Sequence, residues 1–172
     1  MTPSEKKCRK VNCVECGGAM TTARENYKYD ISGLRHVTLM GIWISRCAAC
    51  GNYEVSISRI EDLHRLIAKC VIEKETRFTG MEVRFLRKIL GLTAIDFARR
   101  MGVTVETVSR WENDATAIGT QADRFLRLLV ALGELTTKYP AEKLDLIDSD
   151  SVRDTRLVVR FGGREWAVEA CA

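Results

Sequence analysis

Residues 92–113 read LTAIDFARRMGVTVETVSRWEN, and the pattern resolves into two short helices around a glycine turn. Thr93 can cap the first helix, and Ile95, Phe97, Ala98 and Met101 are expected to supply its buried side. Ala98 is small enough to let a second helix approach. Gly102 suits a left-handed turn, Val103 plugs the angle, and Thr104 caps the second helix. On that helix Val108 and Trp111, three residues apart, should face inward. Val105, Glu106, Ser109 and Arg110 should then face out. This is the helix-turn-helix arrangement, whose second helix enters the major groove of DNA.

Arg110 is the leading candidate for base reading, because a guanidinium can pair bidentately with guanine. Ser109 can bond a base or a phosphate. Glu106 repels phosphate but can accept from cytosine. The residues expected on the DNA are Thr93, Thr104, Val105, Glu106, Thr107, Ser109, Arg110 and Asn113. Between 79 and 133 there are eight lysines and arginines against six acidic residues. One copy so weakly charged would hold DNA poorly, which favours a homodimer on a palindromic operator. Arg84, Arg87, Lys88, Arg99 and Arg100 read equally well as phosphate contacts or as solvated surface. The bland alternative for the whole segment is a small helical bundle.

Working outward, further helices are expected at 81–90 and 120–132, with breaks at Gly91, Gly102 and Gly119. Upstream, Ile60, Leu63, Ile67 and Val71 recur at helical spacing. Before them, RENYKYDI and RHVTLMGIWISRC flank Ser32-Gly33 and read as a hairpin. Downstream of a boundary at Pro140, LVVRF and EWAV flank Gly162-Gly163, which suits a two-residue type I′ turn. Leu157, Val159 and Phe161 would meet Trp166 and Val168 across that ribbon, and the hairpin should dock on the helices or on a second subunit. The expected fold is thus α+β and multidomain. Its parts are a zinc-bound hairpin module with a helix (1–78), an all-α DNA-binding domain (79–136) and a C-terminal extension with a β-hairpin (137–172).

Four of the seven cysteines fall in two C-x2-C pairs, Cys13/Cys16 and Cys47/Cys50, each followed by glycine. Glycine lets the backbone bend and aim amide N–H groups at sulfur, and four thiolates suit tetrahedral Zn²⁺. Such a closed set leaves no position for an activated water, so the zinc is expected to be structural. A redox dithiol would need a βαβ setting that the sequence lacks. Cys70 should be a buried helix residue, with Cys8 and Cys171 near the ends. His36 and His64 read as ordinary histidines. The charge of +4, the 46% apolar content and the lack of any long apolar run point to a cytoplasmic chain with no membrane span and no secretory leader.

Residues 81–133 resemble the Cro/cI-type helix-turn-helix, in which the second helix often reads TVSRWENG. Cys13 to Cys50 is similar to the YgiT-type zinc finger. In this order the two resemble MqsA-type antitoxins, which implies a dimeric autorepressor that binds zinc through its N-terminal domain and DNA through its C-terminal one. It also implies a small ribonuclease toxin as partner, for which Tyr27, Tyr29 and Trp43 could offer a surface. Arg110 matches the arginine with which such proteins read bases. Glu106 stands where asparagine is expected, Ala94 replaces a glutamine and Asp114 replaces a glycine, so the operator sequence should differ. The other readings are a standalone zinc-containing regulator and, less well supported, a thiol enzyme.

Overall fold

The computed structural model describes residues 12–135 and 148–171; Cys8 and the boundary at Pro140 lie outside them. Strand β1 (Met20–Lys28) pairs antiparallel with β2 (Val37–Cys47), as the first hairpin predicts. The connection is a 3-10 turn, Asp30–Ser32, closed by Gly33 at φ 82°. On β2 the buried aliphatic side chains are Val37 and Leu39, then Ile42 and Ile44. Strict alternation cannot place both pairs on one face. The register shifts between Glu25 and Tyr27, where Gly41, at φ 61°, donates to Asn26 Oδ1 at 3.2 Å. One extra residue with a left-handed glycine is a β-bulge, and it restores Ile42 and Ile44 to the core side. Beyond the bulge, β3 (Tyr53–Ser56) pairs with Trp43–Arg46 of β2.

Helix α1 (Ile60–Glu73) buries Leu63, Ile67, Ala68, Cys70 and Val71, while Ile60 at its first turn is exposed. The short strand β4 (Thr76–Arg77) leads to four helices: α2 (Gly80–Ile89), α3 (Ala94–Met101), α4 (Val105–Glu112) and α5 (Thr120–Val130). These lie within two residues of the sequence expectation. Helix α5 widens into a π turn, Ala131–Leu135. Strand β5 (Asp148–Val152) then returns beside β4 in parallel, so the entry to and the exit from the helical part are paired to one another.

Strands β6 (Leu157–Phe161) and β7 (Trp166–Cys171) form the second hairpin. Its connection is a four-residue loop, Gly162–Glu165, closed by Gly162 N–H to the Glu165 carbonyl at 2.9 Å, instead of the two-residue turn expected at Gly162-Gly163. The hairpin docks on helix α1 through β7, as expected of it, and it also joins the first sheet. Strand β6 lies parallel to β2 over Val37–Met40, with Leu157 opposite Val37 and Val159 opposite Leu39. These two residues extend the buried face of β2 and occupy an edge that would otherwise leave backbone groups unpaired. Trp166 is buried and its indole N–H donates to the Ser58 carbonyl at 2.9 Å, whereas Val168, expected to pack, is partly exposed. One continuous set of buried side chains runs from Tyr29 and Leu39 through Ile67 to Phe85, Phe97 and Leu126.

Two buried charges bind the helices to the rest. Arg127 of α5 is fully buried; it bonds Asp123 at 2.6 Å, and the carbonyls of Ile72, Lys74 and Thr76 at 2.6–2.8 Å. Asp123 in turn accepts from Phe78 N–H at 2.8 Å. These carbonyls lie at and just beyond the end of α1, where helix carbonyls lack intrahelical partners. Glu82, in a capping box with Thr79, also accepts from Lys74 and from the backbone and hydroxyl of Thr155. It therefore joins the start of α2 to the approach to β6.

Candidate nucleic-acid interface and metal centre

Helix α3 ends at Gly102, at φ 68°, and Val103 N–H reaches back to the Ala98 carbonyl at 3.0 Å, a pattern that turns the chain sharply. Thr104 then accepts from Thr107 N–H at 3.2 Å and starts α4, as Thr93 accepts from Asp96 N–H to start α3. Phe97, Ala98, Val108 and Trp111 are buried between the two helices. Ile95, expected among them, is 60% exposed. Two residues of helix rotate it about 200° from Phe97, away from the packed face.

On α4, Val105, Glu106, Ser109 and Arg110 are exposed and Thr107 is half-buried. The Arg110 carbonyl accepts from Ala115 and Thr116 N–H, but its guanidinium makes no hydrogen bond to any described residue and is available to a ligand, with Glu106 as its nearby charge. The Glu106 carboxyl is held below its ordinary value, chiefly by a backbone N–H at the helix start and by Thr104. The remaining predicted contacts are engaged within the chain. Thr93 and Thr104 serve as caps, and Asn113 donates to the Ser109 carbonyl while accepting from Arg84, both at 2.9 Å.

What holds α4 in place was not apparent from the sequence. Glu112 is buried; Arg87 bonds it at 2.5 and 3.2 Å and Arg84 at 3.1 Å. Burial works against its ionised form, but the hydrogen bonds and charges of Arg87 and Arg84 outweigh it and keep the carboxyl below the usual range. Arg84 and Arg87 are thus structural and drop out of the scattered phosphate candidates. Asp114, at φ 55°, takes the left-handed position where glycine is usual, and its Oδ1 accepts from Gly80 N–H at 2.6 Å. A side chain at Gly80 would collide with the Trp111 carbonyl oxygen. The start of α2 therefore sits directly on the end of α4.

Residues 83–135 match the helix-turn-helix family. No curated protein and no solved structure matches the chain. The match spans α2 to the π turn, less than half of the chain, and it supports a DNA-binding transcriptional regulator. In this helix-turn-helix domain the exposed face of α4 is the one expected to read DNA.

The four expected cysteines meet at the far end of the β1–β2 hairpin, their sulfur atoms all within 4.8 Å of one another. The pairs Cys13/Cys50 and Cys16/Cys47 are each separated by 3.5 Å. Metal–sulfur bonds of about 2.3 Å in a tetrahedron would space the sulfurs at about 3.8 Å. In both knuckles the glycine after the second cysteine is left-handed, Gly17 at φ 72° and Gly51 at φ 75°, as the sequence suggests. A Cβ on Gly18 would sit 3.3 Å from the sulfurs of Cys16 and Cys47. Amide groups of Cys16 and Glu15 lower the Cys13 thiol to about 6, and those of Cys50 and Ala49 lower Cys47. The Asn52 amide favours the Cys50 thiolate, yet the neighbouring Cys16 and Cys13 thiols leave it pushed up to about 12. Four sulfurs this close cannot all ionise without a cation among them, and the donor set fits a metal ion.

Of the other sequence candidates, Cys70 of α1 and Cys171 of β7 lie side by side; burial, together with the neighbouring Cys171, pushes the Cys70 thiol up to about 12, and burial also raises Cys171. Tyr29 is core, its hydroxyl bonded to His64 Nε2 at 2.8 Å. Trp43 is exposed beneath Arg24, and Tyr53 beneath Arg46. Among the described residues no helix is long and apolar enough to cross a membrane.

Proposed function

We propose that the chain is a non-enzymatic, cytoplasmic, sequence-specific repressor with a structural Zn²⁺ centre, acting as the antitoxin of a type II toxin–antitoxin pair and controlling its own operon. The outward face of α4 carries the reading, because its helix is fixed by Glu112, Asp114 and two caps while the Arg110 guanidinium is left without a hydrogen-bond partner among the described residues. Cys13, Cys16, Cys47 and Cys50 would take zinc as a closed set of soft ligands with no site for substrate.

A second copy supplies the second half-site. Phe125 and Leu128, partly exposed three residues apart on α5, support self-association there. Exposed Trp43 and Tyr53, each under an arginine, support a protein contact on the zinc module.

The test has two arms. Arg110→Ala should bind the DNA upstream of its own coding region about 5- to 150-fold more weakly in a mobility-shift titration, from a loss of about 1–3 kcal/mol. Equal affinity would remove the recognition-helix argument. Co-expression of the tagged chain with the adjacent reading frame should yield a stoichiometric small partner that is toxic alone. DNA binding without such a partner would leave a standalone regulator.

A further inference from the structure

A cleft of about 710 Å³ opens between α1, the end of α2, α3 and the end of α5, away from both the cysteine cluster and the exposed face of α4. That volume falls within the range of small-molecule sites. Its apolar wall is Ile89, Leu90 and Leu129, with Leu132 at the mouth, 81% exposed on the π turn. Irregular π turns inside helices recur at functional sites. A leucine so exposed beside three half-buried aliphatic side chains leaves apolar surface that water covers poorly.

The rim carries charge of one dominant sign. Lys88 and Arg100 are both exposed, and neither has an acidic partner among the described residues. Arg65 adds a third cation, already paired with Asp62 at 3.3 Å, and Glu61 is the one carboxylate among the described lining residues. His64 spends Nε2 on Tyr29, and burial favours its neutral form. Among the described lining residues there is no aromatic carbocycle on which a nucleobase could stack, which disfavours nucleotides.

We infer that this cleft binds an amphipathic carboxylate, its hydrocarbon part on Ile89, Leu90 and Leu129 and its carboxylate between Lys88 and Arg100. The same chemistry could be offered by a free molecule or by a fatty-acid-bearing membrane; an apolar wall of half-buried Ile89, Leu90 and Leu129 set between helices favours the free molecule.

Calorimetric titration of the full-length protein with dodecanoate, kept well below its micelle threshold, tests this. One site per chain with sub-millimolar affinity is expected. Dodecanol and dodecyltrimethylammonium should bind at least about tenfold more weakly, and so should dodecanoate to Lys88→Gln/Arg100→Gln, a loss of one decade being what a single well-placed charge supplies. Both substitutions are on the surface, and an unchanged melting temperature would confirm that the variant folds. Equal binding of dodecanol, an unchanged affinity in the variant, no binding at all, or binding only to oleate-bearing vesicles would each overturn the inference.

Discussion

Replacing Arg127 with methionine keeps much of the side-chain volume and removes the guanidinium. Four hydrogen bonds are lost, one to Asp123 and three to the carbonyls of Ile72, Lys74 and Thr76. Because Arg127 and Asp123 are both fully buried, the substitution strands a carboxylate without its counterion, a situation that costs about 3–5 kcal/mol. Phe78 N–H still bonds Asp123, which moderates the loss, while the orphaned carbonyls add to it. The expected total is about 4 kcal/mol. For a chain of this length each kcal/mol moves the melting temperature by about 2–4 °C, so a fall of about 8–16 °C should appear in thermal unfolding followed by circular dichroism. Adding Asp123→Asn removes the stranded charge and should recover part of the loss, giving a coupling of about 1–3 kcal/mol in the double-mutant cycle. A shift under about 2 °C for Arg127→Met, or strictly additive effects, would refute the view that this pair locks α5 to the end of α1.

Further outcomes follow from the sites. Cys47→Ser should reduce bound metal, read by elemental analysis, from one ion per chain to a small fraction, with the helical circular dichroism largely kept. Retention of a full equivalent would mean that Cys47 is not a ligand. Gly80→Ala, despite its better helix propensity, should destabilise by about 1–3 kcal/mol in urea, because the added carbon meets the end of α4; a stabilised variant would contradict the close approach. The Glu112 carboxyl lies below its unfolded value of about 4.3, so its stabilisation is present above that pH and is lost as pH falls through the lower folded value. Glu112→Gln should therefore cost about 1–3 kcal/mol at pH 7, mostly through Arg87, which is the more buried of the two arginines, and the gap should narrow below about pH 4. A gap independent of pH would show that the charge is not what matters.

Much of the helical region was legible because its signals are local. Thr93, Gly102 and Thr104 punctuate the chain within a few residues of the apolar positions they organise, and the C-x2-C-G knuckles carry their geometry in four residues. The placement of β6 was not legible, since a parallel pairing with β2 across the whole helical region leaves no mark in either segment. Nor were Glu82, Glu112, Asp123 and Arg127: a charged residue reads as surface until the partners that neutralise it are known, and those partners come from distant segments. Ile95 misled for the converse reason, an apolar residue on a helix face with nothing beside it. At Gly162-Gly163 the glycine pair marked a turn correctly but left its length undecided.

The placement of β6 beside β2 also bears on the order in which the molecule can assemble. The hairpin of β1 and β2, the knuckles and the helices are closed by contacts near in sequence, which form early and cheaply. The β2–β6 pairing must instead draw together segments separated by the entire helical region, and loop closure over that span is slow to be rewarded. Until it forms, the Val37–Met40 side of β2 is an open strand edge bordered by Val37 and Leu39, the kind of surface on which nascent chains pair with the wrong neighbour. Glu82, already fixed by its capping box at the start of α2, offers Thr155 a landing point two residues ahead of Leu157. The helical region would thus act as an internal jig for the last step, holding the returning chain within reach of the one edge it has to close.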